Sequence, residues 1–227
     1  MRRVPSQEWL DDDLGSPEEI RQSFDDLWRI NRRLGGVSGC LRLLVQYFAR
    51  TGCRHARILD VGSGDSRLAA CLYEELAKRN LSAEFVVVDR RLSHLKNGNH
   101  SSRGLSRVVG DAFQLPCGRE SFEVVMCNLF LHHFSAERAC EMLRCLAEVA
   151  ADVVLINDLE RHPLPYFFIR FALPFARSRV TRHDGPASVR QAYTRGELST
   201  MVRQAGFSNF EIERLAAFRL GLTLWKA

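Results

Sequence analysis

Five short stretches place residues able to do chemistry at intervals along the chain. RILDVGSGDS sets Asp60 and Asp65 on either side of Gly62 and Gly64, and Asp89 and Arg90 follow the run EFVVV. Gly110 and Asp111 close a third apolar stretch, Asn128 ends FEVVMCN just before His132 and His133, and Asp158 ends DVVLIND. Glycines let a backbone approach a ligand closely, at φ values other residues avoid. Two carboxylates a few ångströms apart repel by about 1 kcal/mol in water and by more in a partly buried site. The turn between Asp60 and Asp65 therefore disfavours a pyrophosphate and suits a ligand with a cationic centre. Asp89, about 25 residues beyond Gly64, is placed to accept hydrogen bonds from ribose hydroxyls. His132, His133, Asp158 and His162 are the candidates for proton transfer, histidine having the intrinsic pKa for it.

Such residues act together only if the fold gathers them. From Arg57 onward short β-branched runs alternate with amphipathic helical patterns, the signature of an open, mostly parallel sheet with helices on both faces. In such sheets ligands bind beyond the carboxyl ends of the strands, where every residue named above falls. FEIERL and FRLGLTLWKA read as a terminal antiparallel pair. Residues 1–55 read as a helical cap: Ser16 and Glu19 form a capping box, with Ile20, Phe24, Leu27 and Trp28 behind it at helical spacing. Residues 56–227 form the main domain. They include an insertion at about 161–193 that is too long for an ordinary connection and carries Tyr166, Phe167, Phe168, Phe171 and Phe175.

The bulk properties narrow the class. The 227 residues suffice for one core with an appended subdomain. No run reaches the roughly 18–20 apolar residues of a membrane span, and no apolar stretch follows the basic start. The seven cysteines, with no CxxC pair, read as reduced thiols of a cytoplasmic protein, and no metal site is expected. The net charge of +5 is uneven: Gln7 to Asp26 is acidic, and Arg161 to Arg195 is arginine-rich. That basic stretch reads either as a solvated face or as a patch for an anionic partner.

Taken together, ILDVGSGDS, VVVD, GDAFQLP and FEVVMCNLFLHHF resemble, in order and spacing, the class I S-adenosylmethionine-dependent methyltransferases. The resemblance implies a Rossmann-like, seven-stranded, mostly parallel sheet with an antiparallel last strand. It implies S-adenosyl-L-methionine as cofactor, whose ammonium and sulfonium suit the acidic turn. Asp60, Gly62 and Gly64 would border its methionine part, Asp89 its ribose, and Arg90, Asp111 and Ala112 its adenine. Asn128 and Leu129 would line the site near the sulfonium. Ser66 departs from a third glycine common in the family. More loosely, the insertion is similar to that of small-molecule methyltransferases of polyketide and quinone pathways. It implies a small hydrophobic, aromatic or quinone-like acceptor, methylated on oxygen or carbon. Weak contact with a membrane surface is a further expectation, because arginines interleave with the aromatics. The alternatives are a nucleic-acid methyltransferase, against which the absence of an Asn-Pro-Pro-aromatic turn at Asn128 speaks, and a non-catalytic cofactor-binding partner.

Overall fold

The computed structural model describes residues 1–98 and 104–226. Two helices come first, α1 (Pro17–Arg33) and α2 (Gly36–Thr51). The expected capping box starts α1: Ser16 accepts from the Glu19 amide, and the Glu19 side chain answers to the Ser16 amide. Gly35, at φ 78°, makes the break before α2.

The main domain then alternates as anticipated. Its elements are β1 (His55–Val61), α3 (Arg67–Ala77), β2 (Ser82–Asp89), α4 (Leu92–Asn97), β3 (Leu105–Val109), β4 (Phe122–Asn128), α5 (Ala136–Val149) and β5 (Ala150–Leu159). The insertion holds α6 (Pro163–Ala172) and α7 (Arg179–Gln191), and the chain closes with α8 (Arg195–Gln204), β6 (Phe210–Leu215) and β7 (Arg219–Trp225). The seven strands lie in the order β3-β2-β1-β4-β5-β7-β6. β1 to β5 pair in parallel, and β7 runs antiparallel to both β5 and β6. The order reverses between β1 and β4, which opens the crevice expected of such a sheet at the ends of those strands.

Each face of the sheet is covered. Leu143, Leu146, Met201 and Val202 of α5 and α8 pack on one side, against Val125, Val154 and Leu222. Leu43, Leu44, Leu72 and Leu76 of α2 and α3 pack on the other, against Ile58, Phe85 and Val124. A third, small cluster joins Ile20 and Phe24 of α1 to Val180 of α7, so the N-terminal segment and the insertion form one cap. The insertion is pinned at its base by a bridge between Glu160 and Tyr193. Pro163 and Pro165 sit in the first turn of α6, where a missing N–H costs nothing, and Pro174 lies in the short turn that separates α6 from α7.

The charge asymmetry becomes internal pairing across this cap. Asp26 accepts from the amides of Arg177 and Ser178, Glu19 pairs with Arg179, and Asp184 accepts from the amides of Trp9 and Leu10. Arg161 is buried and pairs with Glu197. All seven cysteines are free. Among the described residues, no helix is long and apolar enough to cross a membrane.

Candidate active site

The strand ends open into one cavity of about 1070 Å³. Its floor is the turn after β1. The amides of Gly62 and Ser63 both bond to the Val88 carbonyl, tying that turn to β2. Gly62 has φ 71°, and a side chain there would meet the Phe130 ring at 2.7 Å, so only glycine fits.

Ser66, where the resemblance implies a glycine, keeps a glycine-like conformation at φ 64°. It is buried, and its hydroxyl has no hydrogen-bond partner. Both features cost energy, a left-handed φ about 1–2 kcal/mol and an unpaired buried hydroxyl a similar amount. Ser66→Gly should therefore raise the free energy of unfolding by about 1 kcal/mol or more in denaturant titration. A destabilised variant would show that the hydroxyl is used.

Asp60 is 2 % exposed and leaves one carboxylate oxygen, Oδ2, unpartnered. Burial, aided by the nearby Asp89, pushes its pKa up to about 7. A buried carboxylate in that state is completed by a cation. Asp89 accepts from the Gly64 amide at 2.9 Å and the Arg91 amide at 2.9 Å, with His94 at 3.3 Å. It thus holds the glycine turn as well as facing the cavity. Asp65 pairs with Arg67, which also reaches Asp25 of α1 and so ties the turn to the cap.

The cavity is lined by Asp60, Gly62, Gly64, Asp65, Asp89, Arg90, Asp111, Ala112, Asn128 and Leu129, all ten residues expected at the cofactor. Asp111 accepts from the Phe113 amide, shaping the turn beyond β3. Arg90 leans toward Asp12 at 3.8 Å. Leu129 is held at φ 54°, its amide bonded to the Asn157 carbonyl. Non-glycine residues adopt such a φ at a cost, commonly at functional sites.

Residues 58–152 match the family model described as a methyltransferase domain. No curated protein matches the sequence. Among solved structures, a methyltransferase of Aquifex aeolicus superposes with TM-score 0.64 at 13% identity, covering 94% of this chain and 100% of that one. Residues 58–152 form a methyltransferase domain, and the fold is that of the class I S-adenosylmethionine-dependent methyltransferases. A magnesium protoporphyrin IX methyltransferase of Synechocystis, with S-adenosylhomocysteine bound, superposes with TM-score 0.57 at 15% identity, over 83% of each chain. An S-adenosylmethionine-dependent methyltransferase of Thermotoga maritima gives TM-score 0.61 at 14% identity, covering 92% of this chain and 99% of that one. The cofactor of this methyltransferase is S-adenosyl-L-methionine.

The proton-transfer candidates form a cluster. His132 Nδ1 lies 2.6 Å from Asp158, and His133 Nδ1 lies 2.6 Å from Asp11. Glu8 stands between the two rings, 3.5 Å from His132 Nε2 and 4.0 Å from His133 Nε2. Burial opposes charge on His132, but Asp158 and Glu8 outweigh it and raise its pKa to about 10. With the ring so held, His132 keeps its proton at neutral pH and does not accept another. Asp158 is behind the cavity wall and acts on the ring. His162 stacks on Phe218 and His183 on Trp9, each outside the cavity lining.

Three contributors had no sequence signal. Glu8 and Asp11 come from the N-terminal segment, which folds over the cavity: Asp12 pairs with Arg91, and Asp13 with His94. Arg219 is 1 % exposed, with its pKa lowered to about 10 by burial. It donates to the Leu34 carbonyl, Asn31 and Asn128, and so fixes the orientation of Asn128.

Proposed function

We propose that the methyltransferase moves the methyl group to oxygen or carbon of a small hydrophobic acceptor, aromatic or quinone-like in character. The observation that carries this reading is the apolar end of the cavity. Phe130, Phe134, Leu159, Leu164, Phe168, Ile169 and Val189 surround it, and α6 of the insertion provides three of them. Single-ligand pockets run to roughly 300–1,000 Å³. At about 1070 Å³ this one has room for the donor and a small acceptor together. Methyl transfer from a sulfonium needs alignment and exclusion of water, and alignment alone is worth on the order of 7 kcal/mol. The test is calorimetry followed by an acceptor screen. S-adenosylmethionine and S-adenosylhomocysteine should bind and NAD should not. Methyl transfer should then appear with phenols or quinols and not with RNA. Transfer to RNA, with binding that falls steeply with salt, would replace the reading.

The outer face of the insertion favours an acceptor drawn from a lipid phase. Of the five aromatics, Phe168 borders the cavity while still 62 % exposed, and Phe167, Phe171 and Phe175 point to solvent, 65 %, 88 % and 84 % exposed. Residues 162–183 carry four arginines and no acid. Apolar side chains flanked by cations suit an anionic lipid surface. The protein should cosediment with vesicles containing anionic phospholipid and less with neutral ones. Replacing Phe167, Phe171 and Phe175 with serine should abolish that and leave donor binding unchanged. Equal sedimentation of parent and variant would remove the membrane from the reading.

A further inference from the structure

We propose that Glu8, His132 and His133 form a site for a divalent transition-metal ion of the zinc class, on the wall of the cavity. One ligand atom from each lies within 4.8 Å of the others, and all three residues line the cavity. Donor atoms held about 2.0–2.2 Å from a tetrahedral ion stand roughly 3.3–3.6 Å from one another. The separations of 3.5 Å from Glu8 Oε1 to His132 Nε2 and 4.0 Å from Glu8 Oε2 to His133 Nε2 are near that spacing. They are too long for good hydrogen bonds. His132 Nε2 accordingly has no hydrogen-bond partner, although the residue is 2 % exposed. An ion there would take the place of the proton that His132 otherwise keeps and would give this buried nitrogen a partner.

The surrounding groups are those a metal site requires. A ligating histidine donates its other ring N–H to a carboxylate, which fixes the tautomer and raises its basicity. Here both histidines do so at 2.6 Å, His132 to Asp158 and His133 to Asp11. The Glu8 carboxylate is fixed in place by Ser188 Oγ at 2.6 Å and Gln191 Nε2 at 2.5 Å, both donating to Oε1. Two imidazoles and one carboxylate favour zinc or a neighbouring transition metal over magnesium or calcium, which take oxygen ligands. Three protein ligands leave a fourth position for water or an acceptor oxygen. Such an ion would also staple the N-terminal segment, through Glu8, to the turn after β4.

The inference does not depend on which acceptor is methylated, because its test reads metal and not turnover. The full-length protein, stripped with a chelator, is titrated with Co²⁺ in the absence of donor and acceptor, and Zn²⁺ is added in competition. One equivalent should bind with the visible absorption of a tetrahedral or five-coordinate cobalt site, and zinc should bleach it. Glu8→Gln and His133→Ala should each weaken binding at least tenfold. Asp11→Asn keeps every ligand and changes a partly exposed side chain, so folding should survive. It should weaken binding about 10–100-fold through loss of the supporting hydrogen bond. Absence of saturable cobalt binding by the parent, or equal binding by all three variants, overturns the site.

Discussion

Asp89→Ala is expected to lower the affinity for S-adenosylmethionine by at least tenfold to a hundredfold, read by calorimetry, with a smaller loss of thermal stability. The carboxylate has two separable duties. Within the protein it accepts from the Gly64 and Arg91 amides, so its loss frees two backbone donors at the cavity rim. It also faces the cavity, where the resemblance places the ribose of the donor. Hydrogen bonds to a charged group are worth about 1.5–3 kcal/mol each. His94 adds a further dependence, because it bridges Asp89 and Asp13 at 3.3 and 3.1 Å and so ties the turn to the N-terminal segment. Asp89→Asn separates the duties. The amide oxygen can still accept from one backbone amide, so it should recover most of the stability and little of the affinity. Donor binding by Asp89→Ala equal to that of the parent would show that the ribose lies elsewhere.

How far this site was legible in the sequence depends on how local each signal is. The residues at strand ends are read directly, because the parallel sheet aligns its carboxyl ends whatever packs around it. Asp60, Asp89, Asp111 and Asn128 therefore fall in one cavity as anticipated. Asp65 also lines the cavity, and its neighbour Arg67 at the start of α3 links it to Asp25 of α1, a tertiary contact the sequence does not announce. The pair His132–His133 was visible as chemistry, but the state of each ring is set by Asp158, Glu8 and Asp11 from two distant segments. Nothing in the run QEWLDDD marks it as a lid over a pocket rather than a solvated stretch. The aromatics of the insertion were legible as a lipophilic element. Which of them face the cavity follows from how α7 packs on α1, a tertiary contact with no local signature. Arg219 is the extreme case: an arginine beginning an edge-like pair reads as solvent-exposed, and only the closure of α1 and β7 over it buries it.

The second large effect concerns pH. The Asp60 carboxyl has its pKa raised to about 7 in the folded protein by burial and by Asp89, against an ordinary value of 3.8. A raised pKa means the folded state binds the proton more tightly than the unfolded chain. The stabilisation is therefore complete below about pH 4 and is lost as the pH rises toward 7. At about 1.4 kcal/mol per unit, the contribution is on the order of 4 kcal/mol at most. A cationic donor reverses the preference, since it favours the ionised carboxylate. Affinity for S-adenosylmethionine should rise as the pH goes from 6 to 8, and the donor should stabilise the protein most at the alkaline end. Asp60→Asn places a neutral group at the same position. Its unfolding free energy should fall less across this window, it should exceed the parent's stability at pH 8 without ligand, and its donor affinity should be low and nearly independent of pH. Denaturant titrations of both proteins at several pH values, with and without donor, measure all three. If parent and variant showed the same pH dependence of donor affinity, Asp60 would not be the group that meets the cation, and the acidity of the turn would serve the fold alone.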